Sequence, residues 1–205
     1  MLELNPNHAK AIDTMNSAIK ESGKYVGVIT RAEKLTSRNG TPGLGLSFRS
    51  DAGESADYLD VYLGETDGRP WPGSQVASAI LCCLKIRKAT DGQIKVEKFN
   101  PDTRQRETVT VSGYPEIQGK RIGFLLQKEL SEYIGKPRER MAIVGVFQHD
   151  TELTASEILD GKTAPEHLTK LLQALMTRPV RDIRKNPGQT PISQSHDEFD
   201  EVIPF

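Results

Sequence analysis

The sequence contains few of the residues on which several classes of protein depend. Its 205 residues include two cysteines, four histidines and one tryptophan. The cysteines, Cys82 and Cys83, are adjacent, and a disulfide between neighbours is geometrically strained. We therefore expect two reduced, buried thiols. The histidines are scattered without the spacing of zinc ligands, so the sequence predicts no metal site and no cofactor.

Long apolar runs and catalytic motifs are also missing. No stretch approaches the roughly 20 apolar residues that cross a bilayer, and the first residues lack the pattern of a signal peptide, so we expect a cytoplasmic protein without membrane contact. The chain has no phosphate-binding glycine loop, no GxSxG and no HExxH. The nearest carboxylate groupings are Asp57 with Asp60, and Glu152 with Glu157 and Asp160. Such groupings are typical of solvated faces and helix caps, so we expect no enzymatic activity.

Basic and acidic residues are unevenly distributed along the chain. The last 20 residues hold four acidic residues and no Lys or Arg. The other 185 therefore hold all 27 basic and 24 of the 28 acidic residues, a balance of +3. Within them, Lys85 to Arg106 contains seven basic and three acidic residues. A mildly basic body with an acidic end is an arrangement suited to a protein that binds a polyanion.

Hydrophobic periodicity predicts the secondary structure. The spacing of Ala11, Ile12, Met15 and Ile19 predicts a helix over 7–21, after which the apolar period changes to two. Asn39-Gly40 and Pro42-Gly43 supply turn residues between the first two strands. The predicted strands are 24–35, 43–50, 57–64, 93–99, 107–111, 121–132 and 140–148. The predicted later helices are 74–86, capped by Ser74, and 164–178, with Pro165 near its first turn.

The main elements follow the order of three strands, a helix and two strands. An OB-fold, a five-stranded and partly open antiparallel barrel, uses this order. The sequence thus predicts a mainly β protein with an OB-fold, a short N-terminal helix, a helix after the third strand and C-terminal helices. We assign an N-terminal helical segment to 1–22, the OB-fold to 23–150, a helical extension to 151–185, and a disordered linker with an acidic tail to 186–205.

The strands carry candidate nucleic-acid-binding residues. If Leu44, Leu46 and Phe48 fill the barrel, the opposite face presents Ser47 and Arg49 with two tyrosines. Bases of single-stranded nucleic acid stack on aromatic rings while Lys and Arg hold the phosphates. The candidates are Arg31, Arg38, Arg49, Tyr58, Tyr62, Trp71, Lys85, Arg87, Lys88, Lys95, Lys98, Arg104 and Arg106.

Each candidate group has a structural alternative. The tyrosines could pack beneath the Pro72 loop or the C-terminal helix, and Trp71, between two prolines, could be a hydrophobic plug. The basic residues of 85–106 could simply keep a loop soluble. Phe124 and Phe147 lie in apolar strands, and we expect them in the core.

The chain ends on an unusual combination, DEFDEVIPF. Acidic tails commonly serve solubility, but solubility does not require the aromatic and branched residues found here. Pro204 restricts the backbone and lowers the entropy of ordering, and the last ring lies beside the α-carboxylate. A partner with an apolar pocket and a basic rim could take both groups. The candidate partner-binding residues are Asp197, Glu198, Phe199, Asp200, Glu201, Ile203, Pro204 and Phe205.

This tail resembles the C-terminal tip of bacterial single-stranded-DNA-binding proteins, in which acidic residues surround a phenylalanine before a final Ile-Pro-Phe. Val202 departs from the pattern, because another acidic residue is usual there. The stretch GKYVGVITRAEKLTSRNGTPGLGLSFRS is similar to the divergent single-stranded-DNA-binding proteins of bacteriophages. The resemblance implies an OB-fold, sequence-tolerant binding of single-stranded DNA in replication, recombination and repair, and a tail that recruits partner enzymes.

Two functional hypotheses follow. In the first, the protein is a non-enzymatic single-stranded-DNA-binding protein whose tail recruits replication, recombination and repair proteins. In the second, an OB-like adaptor uses the same tail to dock on such enzymes without binding DNA. Self-association into a homo-oligomer is possible under either hypothesis.

Overall fold

The computed structural model describes residues 18–100, 105–133 and 135–184. Arg104, most of the predicted N-terminal helix and the whole acidic tail lie outside the described residues. Residues 18–21, predicted as the end of that helix, are not helical. Ala18 forms a parallel bridge with Ser55, the Ile19 amide donates to the Ser55 carbonyl at 2.8 Å, and the Ile19 side chain is buried in the core. Sheet pairing and burial therefore replace the last predicted helical turn.

The described elements are mostly strands. The strands are β1 (Gly23–Thr36), β2 (Pro42–Ser50), β3 (Ser55–Ala56), β4 (Val61–Tyr62), β5 (Glu65–Thr66), β6 (Arg69–Pro70), β7 (Gly92–Asn100), β8 (Gln105–Gly113), β9 (Arg121–Tyr133), β10 (Lys136–Phe147) and β11 (Val180–Asp182). The helices are α1 (Pro72–Cys83), α2 (Ala155–Leu159) and α3 (His167–Thr177). The prediction of a mainly β protein is confirmed.

The long strand β1 organises the sheet, whose main order is β10-β9-β1-β2-β3. One part of β1 pairs antiparallel with β9, and a longer part pairs antiparallel with β2. The strands of this main order pair antiparallel, whereas β11 pairs parallel with β9. Among the described strands none joins β10 to β3 or β4, so the sheet is not closed. The β7–β8 hairpin, which we call the arm, contacts β1 through the pair Glu33 and Gly113.

The predicted interior residues fill the core. Leu44, Leu46 and Phe48 are buried, and the rings of Phe48 and Phe124 meet edge to face with centroids 5.1 Å apart. Phe124 and Phe147 are fully buried, as predicted. Edge-to-face aromatic pairs add stability beyond their area burial.

The opposite face of β2 differs from the prediction at Ser47, which is buried rather than exposed. Gly45 precedes it by two residues, and a Cβ there would lie 2.6 Å from Nη2 of Arg31. At Gly43 a Cβ would lie 3.0 Å from Cδ1 of Tyr62. Side chains of β1 and β4 therefore lie across this face and leave only part of it open.

The third predicted strand, 57–64, is wrong in its extent. The structure has β3 and β4 instead, separated by Tyr58 with a φ of 60°. Such a left-handed backbone is incompatible with a continuous ladder. Leu59 is buried, as its place in the apolar alternation of 57–64 indicates, but the alternation could not predict this break.

Helix α1 begins two residues before the predicted start. Trp71 is the N-cap residue and Pro72 is the first residue of the helix. Proline suits the first position of a helix. Ser74, predicted as the cap, instead bonds Gly64, with its Oγ 2.8 Å from both the amide nitrogen and the carbonyl oxygen. Both cysteines of α1 are free, and Cys83 is buried while Cys82 is half-buried. Burial raises the pKa of Cys83 to about 12.

The C-terminal helices pack on the sheet through a small apolar cluster. Leu168 and Leu175 of α3 are buried with Leu125 and Phe147, which confirms the predicted helix, although it begins at His167 rather than near Pro165. Glu157 is the buried capping residue of α2, accepting hydrogen bonds from the Thr154 amide at 2.9 Å and the His167 amide at 2.7 Å. None of the described helices is long and apolar enough to span a membrane.

Candidate nucleic-acid interface

A cleft of about 740 Å³ opens between the sheet, the arm and β10. Its floor comes from β1, β2 and β3, one wall from the arm, and the other from the start of β10. We call it the basic cleft, because the described residues that line it include six basic and three acidic ones. The basic residues are Lys20, Arg31, Arg49, Lys95, Arg106 and Arg140, and the acidic ones are Asp57, Glu97 and Glu139.

Strand alternation places the side chains of the cleft. Arg31 of β1 pairs with Ser47 of β2. Arg49 lies two residues after Ser47 in β2 and therefore on the same face. On the arm, Lys95 and Glu97 share a face because residues two apart in a strand point the same way. The register of the hairpin brings Arg106 to that face as well. Four predicted residues from distant parts of the sequence therefore meet in one cleft: Arg31, Arg49, Lys95 and Arg106.

A carboxylate joins the arm to the floor of the cleft. Glu33, which is 7% exposed, accepts a 2.8 Å hydrogen bond from Nε of Arg31 and a 2.7 Å bond from Nζ of Lys98. Burial acts to raise the pKa of Glu33, but the hydrogen bonds from Lys98 and Arg31 hold it below its usual value. Arg31 and Lys98 are thus fixed in position, and only Arg31 of the two lines the cleft.

One ion pair connects the arm to the end of β3. Nη2 of Arg106 lies 3.9 Å from Oδ2 of Asp57, and both side chains are substantially exposed. Exposed pairs of this kind contribute little to stability, about 0–1 kcal/mol. A phosphate entering the cleft can therefore replace Asp57 at small energetic cost.

Arg140 is a cleft residue that was not among the sequence candidates. It lies in β10, where its Nε and Nη2 are each 2.7 Å from Oε2 of Glu129. The sequence did contain an indication, since Lys136, Arg138 and Arg140 alternate along β10. Alternation predicts that they share a face, but it cannot show that this face turns toward the arm.

The two candidate tyrosines are exposed rather than packed. Tyr58 is 65% exposed and directly follows Asp57, which lines the cleft. Tyr62 is 44% exposed and lies over Gly43. An exposed ring beside a basic cleft can stack on a base, which makes Tyr58 the better placed of the two.

Other basic candidates do not line the cleft. Arg38 is exposed in the turn between β1 and β2. Three more are exposed in the connection from α1 to β7: Lys85, Arg87 and Lys88. Arg104 is outside the described residues. Contacts of these residues with DNA stay a prediction.

Trp71 lies in a different groove of about 880 Å³, formed by α1, the β5–β6 hairpin, β10 and the C-terminal helices. A Cβ on Gly64 would lie 2.9 Å from Cδ2 of the indole, and Nε1 donates to Oγ1 of Thr66 at 2.9 Å. We call this the apolar groove, since β10 contributes Ile143, Val144 and Val146 to it. The packing of the indole supports the alternative of a hydrophobic plug.

No known family model matches this sequence, and no curated protein matches it either. Among the described residues, no group of three or more His, Cys, Asp or Glu side chains is placed to hold a metal ion. The functional interpretation therefore depends on the cleft and on the resemblance of the tail.

Proposed function

We propose that the protein binds single-stranded DNA without sequence preference in the basic cleft, with phosphates held by Arg49, Lys95, Arg106 and Arg140. The observation that carries the proposal is the convergence of these cations from four strands into one cleft. Phosphate neutralisation by Lys and Arg supplies most of sequence-independent affinity. Tyr58, exposed at the end of the floor, offers a ring for base stacking.

The fold is compatible with an open OB-fold, which we propose as its finer description. In this interpretation β1, β2 and β4 are the first three barrel strands, α1 is the intervening helix, and β9 and β10 are the last two. The arm is then an insertion before the fourth strand. Support comes from the pairing of β9 with β1 on the side opposite β2 and from the contacts of α1 with both β4 and β10, where the barrel remains open.

The acidic tail, 197–205, is proposed to recruit replication, recombination and repair enzymes. This part of the proposal derives from the resemblance of DEFDEVIPF to the tip of bacterial single-stranded-DNA-binding proteins. Deleting 197–205 should abolish capture of such enzymes. Because the tail is an anion tethered to a basic cleft, the deletion should also tighten DNA binding at low salt.

Titration of a fluorescent oligo(dT) in moderate salt tests the proposal. We expect binding by the wild type and weaker binding by Arg106→Ala, because that side chain lines the cleft and is 61% exposed. The matched control is Lys162→Ala, which removes an exposed cation outside the cleft and should leave the affinity unchanged. Absence of binding by the wild type, together with tail-dependent capture of enzymes, would establish the adaptor hypothesis instead.

A further inference from the structure

A buried carboxylate links the basic cleft to the C-terminal strand. Glu129 of β9 exposes 2% of its side chain and accepts from two arginines at once. Its Oε2 accepts a hydrogen bond from Nε of Arg140 at 2.7 Å, and its Oε1 accepts one from Nη1 of Arg181 at 3.4 Å. Arg140 lines the cleft, whereas Arg181 does not.

Strand register produces this arrangement. Arg140 is directly opposite Glu129 in the antiparallel pair of β10 and β9. Arg181 is directly opposite Glu129 in the parallel pair of β11 and β9. The backbone of this segment is held by further bonds, from the Ile183 amide to the Leu130 carbonyl at 2.8 Å and from Nε2 of Gln127 to the Arg178 carbonyl at 2.6 Å. The three charged groups therefore form a row across three adjacent strands.

Arg140 and Arg181 share the single carboxylate of Glu129. The row of three side chains therefore has a net charge of +1. A buried charge requires compensation by a partner, and an isolated pair of Arg140 and Glu129 would be neutral. With Arg181 present, the carboxylate is balanced from the far side. About half of the Arg140 side chain, 51%, remains exposed, and a guanidinium has five N–H donors, more than Glu129 occupies.

We propose that Arg181 is a positioning residue of the single-stranded-DNA site, which acts through Glu129 to keep the charge and orientation of Arg140 available to a phosphate. The inference rests on the proposed function of the cleft. If so, β11, which follows the C-terminal helices and pairs with β9, contributes to DNA binding as well as to the fold.

The test is the salt dependence of oligo(dT) binding by four variants and one control variant. On a single strand each neutralised phosphate contributes about −0.7 to the slope of log affinity against log salt. Arg181→Gln makes the row neutral, so its slope should be less negative by up to about 0.7 and its affinity about fivefold weaker at 0.1 M salt. Arg181→Lys, which keeps the charge, should retain the wild-type slope.

Charge rescue separates this role from a purely structural one. The double variant Glu129→Gln/Arg181→Gln restores a charge of +1 and should recover the wild-type slope, although it lacks both ionic contacts. Glu129→Gln alone gives +2 and should steepen the slope by up to about 0.7. The matched control is Arg184→Gln, which removes an exposed arginine of the same segment that pairs with Asp182, and its slope should not change.

Circular dichroism establishes that each variant is folded at the assay temperature. If Arg181→Gln is unfolded there, the comparison of Glu129→Gln with the double variant decides the question alone. Equal slopes for these two, or for wild type and folded Arg181→Gln, would overturn the inference while leaving the proposed function intact. A wild type that does not bind oligo(dT) would overturn both.

Discussion

The basic cleft and the apolar groove have similar volumes, about 740 and 880 Å³, and share β10, yet they differ in chemistry. Arg140 and Met141 of β10 line the cleft, whereas Ile143 to Val146 line the groove. Among the described residues, six basic and three acidic side chains line the cleft, whereas the Asp, Glu, Lys and Arg residues that line the groove are Asp67 and Arg69. Volume alone therefore does not identify a nucleic-acid site; the convergence of cations does.

The largest expected effect comes from removing three cleft cations together. Arg49→Ala/Lys95→Ala/Arg106→Ala should weaken oligo(dT) binding about a hundredfold at 0.1 M salt, because three lost phosphate contacts change the slope by about 2. Fluorescence anisotropy measures the affinity.

The control for this variant is Lys85→Ala/Arg87→Ala/Lys88→Ala, which removes three exposed cations outside the cleft. It should weaken binding by much less, since none of these residues lines the cleft and the general field of the protein acts more weakly than a direct phosphate contact. An equal loss for the two triple variants would show that net charge, rather than the cleft, determines affinity.

A substitution in the apolar groove should lower the stability of the protein but not its affinity for oligo(dT). Trp71→Ala removes a half-buried indole that packs on Gly64, and we expect the free energy of unfolding to fall by about 1–3 kcal/mol. Denaturant titration measures this fall. The oligo(dT) affinity of the folded variant should stay within about twofold of wild type, and a tenfold loss would place the indole in the DNA site.

The substitution Asp57→Asn tests whether an acidic residue of the cleft opposes DNA binding. It removes an acidic group that lies 3.9 Å from Arg106, so oligo(dT) should bind about two- to fivefold more tightly at 0.1 M salt. Stability should change little because the ion pair is exposed. The control is Asp51→Asn, which removes an exposed acidic residue outside the cleft. Tighter binding by Asp51→Asn to the same degree would argue against a specific role of Asp57.

The smallest effect concerns the pH dependence of stability. Burial raises the pKa of Asp60, with partial opposition from Arg31. Among the described residues its Oδ1 has no hydrogen-bond partner, and Nη1 of Arg31 lies 3.9 Å away. An acid whose pKa is higher in the folded state binds protons more readily there, so stability rises as pH falls through that pKa. Asp60→Asn should therefore be more stable than wild type at pH 7 by about 1 kcal/mol.

This advantage should disappear as the pH falls from the raised pKa of Asp60 toward its ordinary value of 3.8. Thermal midpoints of the two proteins across this range measure the difference. Glu33, whose pKa is lowered, loses its stabilising contribution at low pH in both proteins. A constant difference between pH 7 and pH 4 would contradict the assignment.

The sequence predicts the strands better than the site, for physical reasons. Alternation in β2 and the apolar strands correctly places Phe48, Phe124 and Phe147 in the core, because burial follows a local period. The break at Tyr58 depends on a left-handed backbone that no local pattern requires. Ser47 is buried on the face where Arg31 lies against Gly45 and Tyr62 against Gly43, and alternation does not predict such contacts between strands.

The site itself could be predicted only in part. Residue type identifies Arg31, Arg49, Lys95 and Arg106 as candidates, and they meet in the cleft, although Arg49 and Arg106 are 57 positions apart in the sequence. Arg140 was missed because its position depends on the register of β10 with β9. Residue type also makes Trp71 a candidate, but it lies just before α1 and lines the apolar groove.

The salt dependence of wild-type oligo(dT) binding tests the central claim most directly. If Arg49, Lys95, Arg106 and Arg140 hold phosphates in the cleft, the slope of log affinity against log salt should be about −3, because each neutralised phosphate contributes about −0.7. A slope near zero between 50 and 300 mM salt, or no binding at the lowest salt, would contradict the account.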